Sequence, residues 1–224
     1  MEQLYRALEK LNIQPEKNIL SKFERYMRLV LEWNEKVNLT AITEENEFIT
    51  KHFIDSLLCS GLDEFKISEN IIDVGTGAGF PGVPLAMAFP DKRFLLIDST
   101  GKKIKILGEI LAELEILNVS LLHARAEELS RKKEYREKFD LCVTRAVADL
   151  TALSGYCMPF LAVGGSLIAY KGPDIQKELK QAEPAIKDHG GKIKEVRKAD
   201  PFGFGLDHTL VIIEKKRKTV TSFS

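Results

Sequence analysis

The sequence predicts an α/β protein: a mostly parallel, seven-stranded sheet finished by an antiparallel edge strand and preceded by a helical N-terminal extension. Three observations carry this. From residue 70 onward, short apolar runs alternate with stretches of helical periodicity, the pattern of strands joined by crossover helices. The last two apolar runs, 193–196 and 209–213, have no room for a helix between them, so they should pair antiparallel. Residues 1 to about 65 show helical spacing only. The expected organisation is an extension over 1–65 and a sheet domain over 66–224, with the seam at 61–70 too short for a free linker.

Leu4, Leu8 and Leu11 mark a first helix ending near Asn12. Pro15 suits the opening of the second, where Ile19, Phe23, Met27, Val30 and Trp33 recur to about Val37. A third helix is expected over 45–59, with Phe48, His52, Phe53 and Leu57 near one face. Strands follow at 71–74, 93–98, 119–123, 139–143 and 166–170. Helices are expected around 104–114, 150–161 and 174–188, and the paired strands close the chain.

The 224 residues are 44% hydrophobic and show no signal-peptide pattern and no apolar run long enough for a membrane span, so a cytoplasmic protein is expected. Cys59, Cys142 and Cys157 lack metal-ligand spacing, and no metal is expected. Basic and acidic residues balance at 33 each, so any nucleic-acid footprint must be local. Clusters at 102–105, 131–133, 192–198 and 215–218 read first as solvated faces, the last as a mobile tail continuing through 219–224.

The most informative segment is Asp73-Val74-Gly75-Thr76-Gly77-Ala78-Gly79-Phe80-Pro81-Gly82, directly after the first strand. Such glycines allow positive φ and close approach of the backbone to a ligand. Gly77 to Gly82 fits the dinucleotide fingerprint G-x-G-x-x-G, with Asp98 about 20 residues on. The overlapping reading, Asp73-x-Gly75-x-Gly77-x-Gly79, is the loop of S-adenosylmethionine methyltransferases, and three details favour it. The glycines start at once after the strand, Asp73 suits a cationic ligand, and Pro81 removes an N–H that a pyrophosphate would use.

Ligands of an open parallel sheet bind at the C-terminal strand ends. Gly75, Thr76, Gly77, Gly79 and Phe80 arrive there from the first strand, and Asp98 and Ser99 from the second, Asp98 suited to ribose hydroxyls. Ala126 and Glu127 either flank an adenine or start a helix. Arg145, after the fourth strand, is an ion-pair anchor or a site cation, and Lys171 ends the fifth. No activated nucleophile or base is evident; His123 and His208 stand isolated and read as structural, and His52, Asp55 and Ser56 only superficially suggest a triad.

Five motifs occur in order: Trp33-Asn34-x-x-x-Asn38-Leu39-Thr40, His52-Phe53-x-Asp55-Ser56-Leu57, the glycine loop, Thr144-Arg145-Ala146-Val147-Ala148 and Lys171-Gly172. With them the chain closely resembles the glucose-inhibited division protein B family, bacterial 16S rRNA guanine-N7 methyltransferases. The resemblance implies a Rossmann-like class I methyltransferase fold, S-adenosylmethionine as cofactor, and 16S rRNA or the 30S subunit as partner of a monomeric enzyme. It implies that Gly75, Phe80, Ala126, Glu127 and Arg145 line the cofactor site. Asn38, His52, Lys102, Arg145 and Lys171 would surround the RNA-facing mouth, with Arg145 and Lys171 as the catalytic pair. Methylation of another substrate class, or a nicotinamide oxidoreductase, are the alternatives.

Overall fold

The computed structural model describes residues 1–14, 17–200 and 202–219. Ahead of the sheet lie α1 (Glu2–Lys10), α2 (Lys17–Asn34), α3 (Glu45–Phe48), α4 (Asp55–Leu57) and α5 (Asp63–Ile67), the last running across the boundary expected at residue 65. The expected third helix is therefore broken: a wide π-helical turn, Ile49–Ile54, joins α3 to α4, and a tight turn, Leu58–Gly61, follows. Such insertions re-aim side chains, and this one carries His52 and precedes Asp55.

The sheet domain runs β1 (Asn70–Val74), α6 (Gly82–Ala88), β2 (Arg93–Asp98), α7 (Gly101–Glu113), β3 (Val119–His123), α8 (Ala126–Leu129), β4 (Phe139–Arg145), α9 (Leu150–Cys157), β5 (Leu161–Lys171), α10 (Gln176–Asp188), β6 (Gly191–Lys198) and β7 (Thr209–Lys215). The seven strands lie in the order β3-β2-β1-β4-β5-β7-β6. β1 to β5 pair parallel, and the closing pair completes that edge: β7 runs antiparallel to both β5 and β6. β4 extends two residues beyond the expected strand, so Arg145 is its last residue rather than a loop residue.

Central strands are buried on both sides, and their alternation sorts side chains between two cores. Ile71, Leu141, Ile168 and Ile212 face a cluster that includes α1, α2, α6 and α7. Ile72, Cys142, Leu167 and Ile213 face the other, built with α8, α9 and α10. The extension thus shares its hydrophobic cluster with one face of the sheet. Phe23, Tyr26, Phe48 and Phe53 are fully buried at this junction. Rings of Phe23 and Phe53 meet edge-on at 4.8 Å, and Tyr26 and Phe48 lie 5.5 and 5.8 Å from Phe80 of the glycine loop. Each such burial contributes roughly 1.5–3 kcal/mol, so the extension and the loop are held by one aromatic core.

The expected mobile C-terminal tail is corrected at its start. Lys215 is fully buried at the end of β7, and its ammonium donates to the carbonyls of Met158 at 2.8 Å and His189 at 3.1 Å and to the Thr219 hydroxyl. Burial pulls its pKa down to about 8. Residues 220–224 of that tail, and the Pro15 proposed to open α2, lie outside the described residues.

Candidate active site

A crevice with two lobes opens over the C-terminal ends of β1, β2 and β4, and the lobes share Gly75, Asp98, Ser99 and Val147. The first, of about 190 Å³, is walled by Val74, Ile97, Ala124, Ala126, Glu127 and Tyr156. The second, of about 350 Å³, is bounded by Leu39, His52, Phe80, Lys103, Arg145 and the backbone segment 76–78.

The glycine loop is built from the strand outward. Amides of Gly75 and Thr76 both donate to the Ile97 carbonyl at 2.9 and 3.0 Å, tying the turn to β2. The Gly77 amide donates to Asp98 Oδ2 at 2.9 Å, and the Thr100 amide to Asp98 Oδ1 at 2.8 Å. Gly77 takes φ +61°, and a Cβ there would point into open space; it is the point where the backbone faces the second lobe.

Asp73 and Gly79 stand elsewhere than expected. Asp73 is fully buried behind the loop and lines neither lobe. Its Oδ2 accepts from the Thr76 hydroxyl at 2.7 Å and the Gly82 amide at 2.9 Å, while Oδ1 has no partner among the described residues. Burial raises its pKa to about 7. Its direct contacts are therefore with the loop, whose shape it sets. Gly79, at φ +102°, also lines neither lobe; a Cβ would come within 2.4 Å of the Tyr26 hydroxyl, which donates to the Ala78 carbonyl at 2.6 Å. Its small size serves the close approach of α2.

The mouth of the second lobe is organised by Arg145, an ion-pair anchor whose side chain also lines the lobe. Nη1 donates to Asp55 Oδ2 at 2.7 Å and to the Lys51 carbonyl at 2.9 Å, and Nη2 to His52 Nδ1 at 3.2 Å. An arginine can only donate, so Nδ1 of His52 must be the acceptor and its proton sits on Nε2, which donates to Thr40 Oγ1 at 2.7 Å. Burial, reinforced by the Arg145 charge, lowers the His52 pKa to about 3, so this imidazole is neutral. Its ring lies flat on Phe80, with centroids 4.3 Å apart and planes 4° from parallel, and the Arg145 guanidinium sits 5.4 Å from the same ring.

Asp55 is shared. Its Oδ1 accepts from His208 Nε2 at 2.5 Å, so His208, read as isolated, belongs to this network. The Ser56 hydroxyl is turned to the His52 carbonyl, away from any triad geometry.

Two expected RNA-facing cations are displaced. Lys171 lines neither lobe; it pairs with Glu178 at 2.7 Å and donates to the Ala148 carbonyl at 2.8 Å. Glu178 in turn accepts from the Leu150 amide at 2.6 Å, so the pair clamps the segment carrying Val147 over the crevice. Lys102 is exposed outside the crevice, because one residue is a 100° rotation on a helix and Lys103 takes the lining position. Asn38 is exposed beside the mouth, where its neighbour Leu39 lines it; the Asn34 side chain fixes this loop by accepting from the amides of Leu39 and Thr40.

Tyr156 and Val147 are lining residues that the sequence does not single out, and Lys103, marked there only within the 102–105 basic cluster, lines the second lobe. Val147 lay inside a quoted motif, and its Cγ2 would stand 2.4 Å from a Cβ at Gly75, which explains that glycine. Tyr156 sits within α9 and carried no local signal.

The family GidB, described as rRNA small subunit methyltransferase G, matches residues 19–201. The ribosomal RNA small subunit methyltransferase G of Clostridium perfringens (strain SM101 / Type A) is 47% identical over 202 residues, covering 90% of this chain and 84% of that protein. Among solved structures, the ribosomal protein L11 methylase of Lactobacillus delbrueckii subsp. bulgaricus superposes with a TM-score of 0.55 at 20% identity, over 75% of this chain and 79% of that one. A TehB-like SAM-dependent methyltransferase from Corynebacterium glutamicum gives 0.54 at 16% identity, over 72% and 87%. These two likenesses establish the fold.

Proposed function

Because the chain belongs to the GidB family of rRNA small subunit methyltransferases, we propose that it transfers a methyl group from S-adenosylmethionine to N7 of a guanine in 16S rRNA. The cofactor follows from the family, and the nicotinamide alternative falls with it. The choice of N7 is what the resemblance implies, and the build of the mouth supports it.

The residues present fit the cofactor. An apolar slot between Val74, Ile97, Ala124 and Tyr156 suits a flat base, and Asp98 and Glu127 supply acceptors for hydroxyl donors. In the second lobe, Asp55 cancels the Arg145 charge at 2.7 Å, which leaves Lys103 as the lining cation without an ion pair among the described residues. Bound in the crevice, S-adenosylmethionine supplies an electrophilic methyl group.

The observation that carries the N7 reading is the state of the groups around Phe80. His52 has both ring nitrogens engaged and is neutral, Asp55 accepts from two partners, and Asp73 is sealed behind the loop. None of these three groups is a free base, and Asp98, the carboxylate that also lines the lobe, already accepts from the Gly77 and Thr100 amides. Guanine N7 has an in-plane lone pair and no proton at neutral pH, so it needs none. What this chain contributes is alignment, and positioning alone can supply on the order of 7–11 kcal/mol. Arg145 has five N–H donors; those already engaged hold it in place, and the rest can meet guanine O6 or a phosphate while N7 stays open to attack.

The test is methyl transfer by the purified protein to 16S rRNA or 30S particles, followed by mapping of the modified nucleotide. A single 7-methylguanosine is expected. Modification at another guanine atom would overturn the N7 assignment, and transfer only to non-RNA substrates would overturn the RNA one. No helix among the described residues is long and apolar enough to cross a membrane.

A further inference from the structure

A second groove, of about 430 Å³ and sharing no residue with the crevice, lies between the end of α1, the tight turn at 58–61 and the end of β6. Its floor is apolar, with Leu58, Leu62 and Leu210, and its rim holds Lys10, Lys66, Arg197 and Lys198 with no carboxylate among the described lining residues. Phe202 stands at the lip, 37% exposed, beside the cationic rim.

This lip is held in place. Asp200 accepts from the amides of Phe204, Gly205 and Leu206 at 2.7, 2.7 and 3.0 Å, the Ala199 amide donates to the His208 carbonyl at 2.9 Å, and the Phe202 and Phe204 rings meet at 6.0 Å. Lys10 ties α1 to the same loop, donating to the Phe202 carbonyl at 3.2 Å and sitting 5.0 Å from the Phe204 ring. Lys66 and Arg197 share their charge with Asp63 and Glu195, whereas Lys10 and Lys198 form no ion pair among the described residues.

Sheet register relates the groove to the crevice. Arg145 of β4 stands opposite Tyr170 of β5, Tyr170 opposite Leu210 of β7, and Leu210 opposite Arg197 of β6. Arg197 is therefore level with Arg145 and three strands away, about 14 Å at ~4.8 Å per strand. Both openings lie on the same edge of the sheet.

We propose that this groove binds a nucleotide of single-stranded rRNA flanking the target guanine, its base stacked on Phe202 and its phosphate held by Lys10 and Lys198. The chemistry matches single-strand recognition, in which aromatic faces take bases and cations track the backbone. Net neutrality of the chain makes such a local footprint necessary for holding RNA. The inference rests on the rRNA reading above.

The test compares Phe202→Ala and Lys198→Ala with wild type, binding protein-free 16S rRNA and 30S particles across a salt series and methylating both. Affinity for S-adenosylhomocysteine serves as the check of folding. Phe202→Ala should weaken rRNA binding about tenfold. Lys198→Ala should flatten the salt dependence by roughly 0.7 in slope, one phosphate contact's share on a single strand. KM for RNA should rise in both, with kcat at saturating RNA and cofactor-product affinity unchanged. Wild-type affinity and slope in both variants would overturn the groove assignment. So would losses confined to intact 30S particles, which would make its occupant a ribosomal protein. Failure of the rRNA reading itself is distinguishable, because the wild-type protein would then not methylate rRNA, while the binding comparison would still judge the groove.

Discussion

Asp55→Ala is the most discriminating single change. Asp55 and Arg145 side chains are only 3% and 15% exposed, so their pairing is little screened by solvent. Removing one member leaves a buried guanidinium without its counter-charge and His208 without its acceptor. Breaking a buried pair in this way costs roughly 3–5 kcal/mol. For a chain of 224 residues, that is a fall in Tm of about 6–20 °C at ~2–4 °C per kcal/mol. Asp55→Asn, which keeps an acceptor but not the charge, should cost less, about 1–3 kcal/mol. Urea denaturation of wild type, both variants, Arg145→Ala and the Asp55→Ala/Arg145→Ala double mutant gives the pairwise term. The double mutant should be more stable than the sum of the single losses predicts, by roughly 0.5–3 kcal/mol. A loss below 1 kcal/mol for Asp55→Ala, or strict additivity, would refute the claim that this pair joins the extension to the sheet.

The glycines should separate: Gly79→Ala drives a Cβ against Tyr26 and should unfold or severely destabilise the protein, whereas Gly77→Ala, with open space at φ +61°, should cost only about 1–2 kcal/mol while weakening cofactor binding. Equal stability losses would contradict the loop geometry. Lys171→Ala frees the segment clamped at Ala148 and should raise the Kd for S-adenosylhomocysteine severalfold; weaker RNA binding with a flatter salt dependence and unchanged cofactor affinity would return Lys171 to the mouth. Asp73, raised to about 7 from an ordinary 3.8, favours the native state fully below pH 3.8 and loses that contribution as pH rises through 7, so Asp73→Asn should gain stability relative to wild type between pH 4 and 8; parallel stability profiles would refute this. His52, lowered to about 3, works in the opposite sense, its contribution complete above pH 6.5 and lost as pH falls, so His52→Gln should flatten the acid limb of urea stability, and an unchanged limb would show the imidazole is not buried neutral.

What the sequence determined by itself is what depends on local periodicity and short-range backbone chemistry. Alternating apolar runs specified the strands, their crossover spacing specified a parallel sheet, and the glycines after Val74 specified a tight loop at the end of β1, because each of these is encoded within about a dozen neighbours. The placement of Asp98 and Glu127 on the crevice was legible for the same reason: parallel topology delivers strand ends to one edge. Only the tertiary structure decided what each side chain touches once it arrives there. Asp73 turns its carboxylate into the loop, Lys171 meets Glu178 on α10, Arg145 finds Asp55 across 90 residues, and His208 reaches the same carboxylate across 153. A buried charge must find a counter-charge or a donor, and which one lies within 3 Å is settled by packing between elements remote in the chain rather than by the residues beside it.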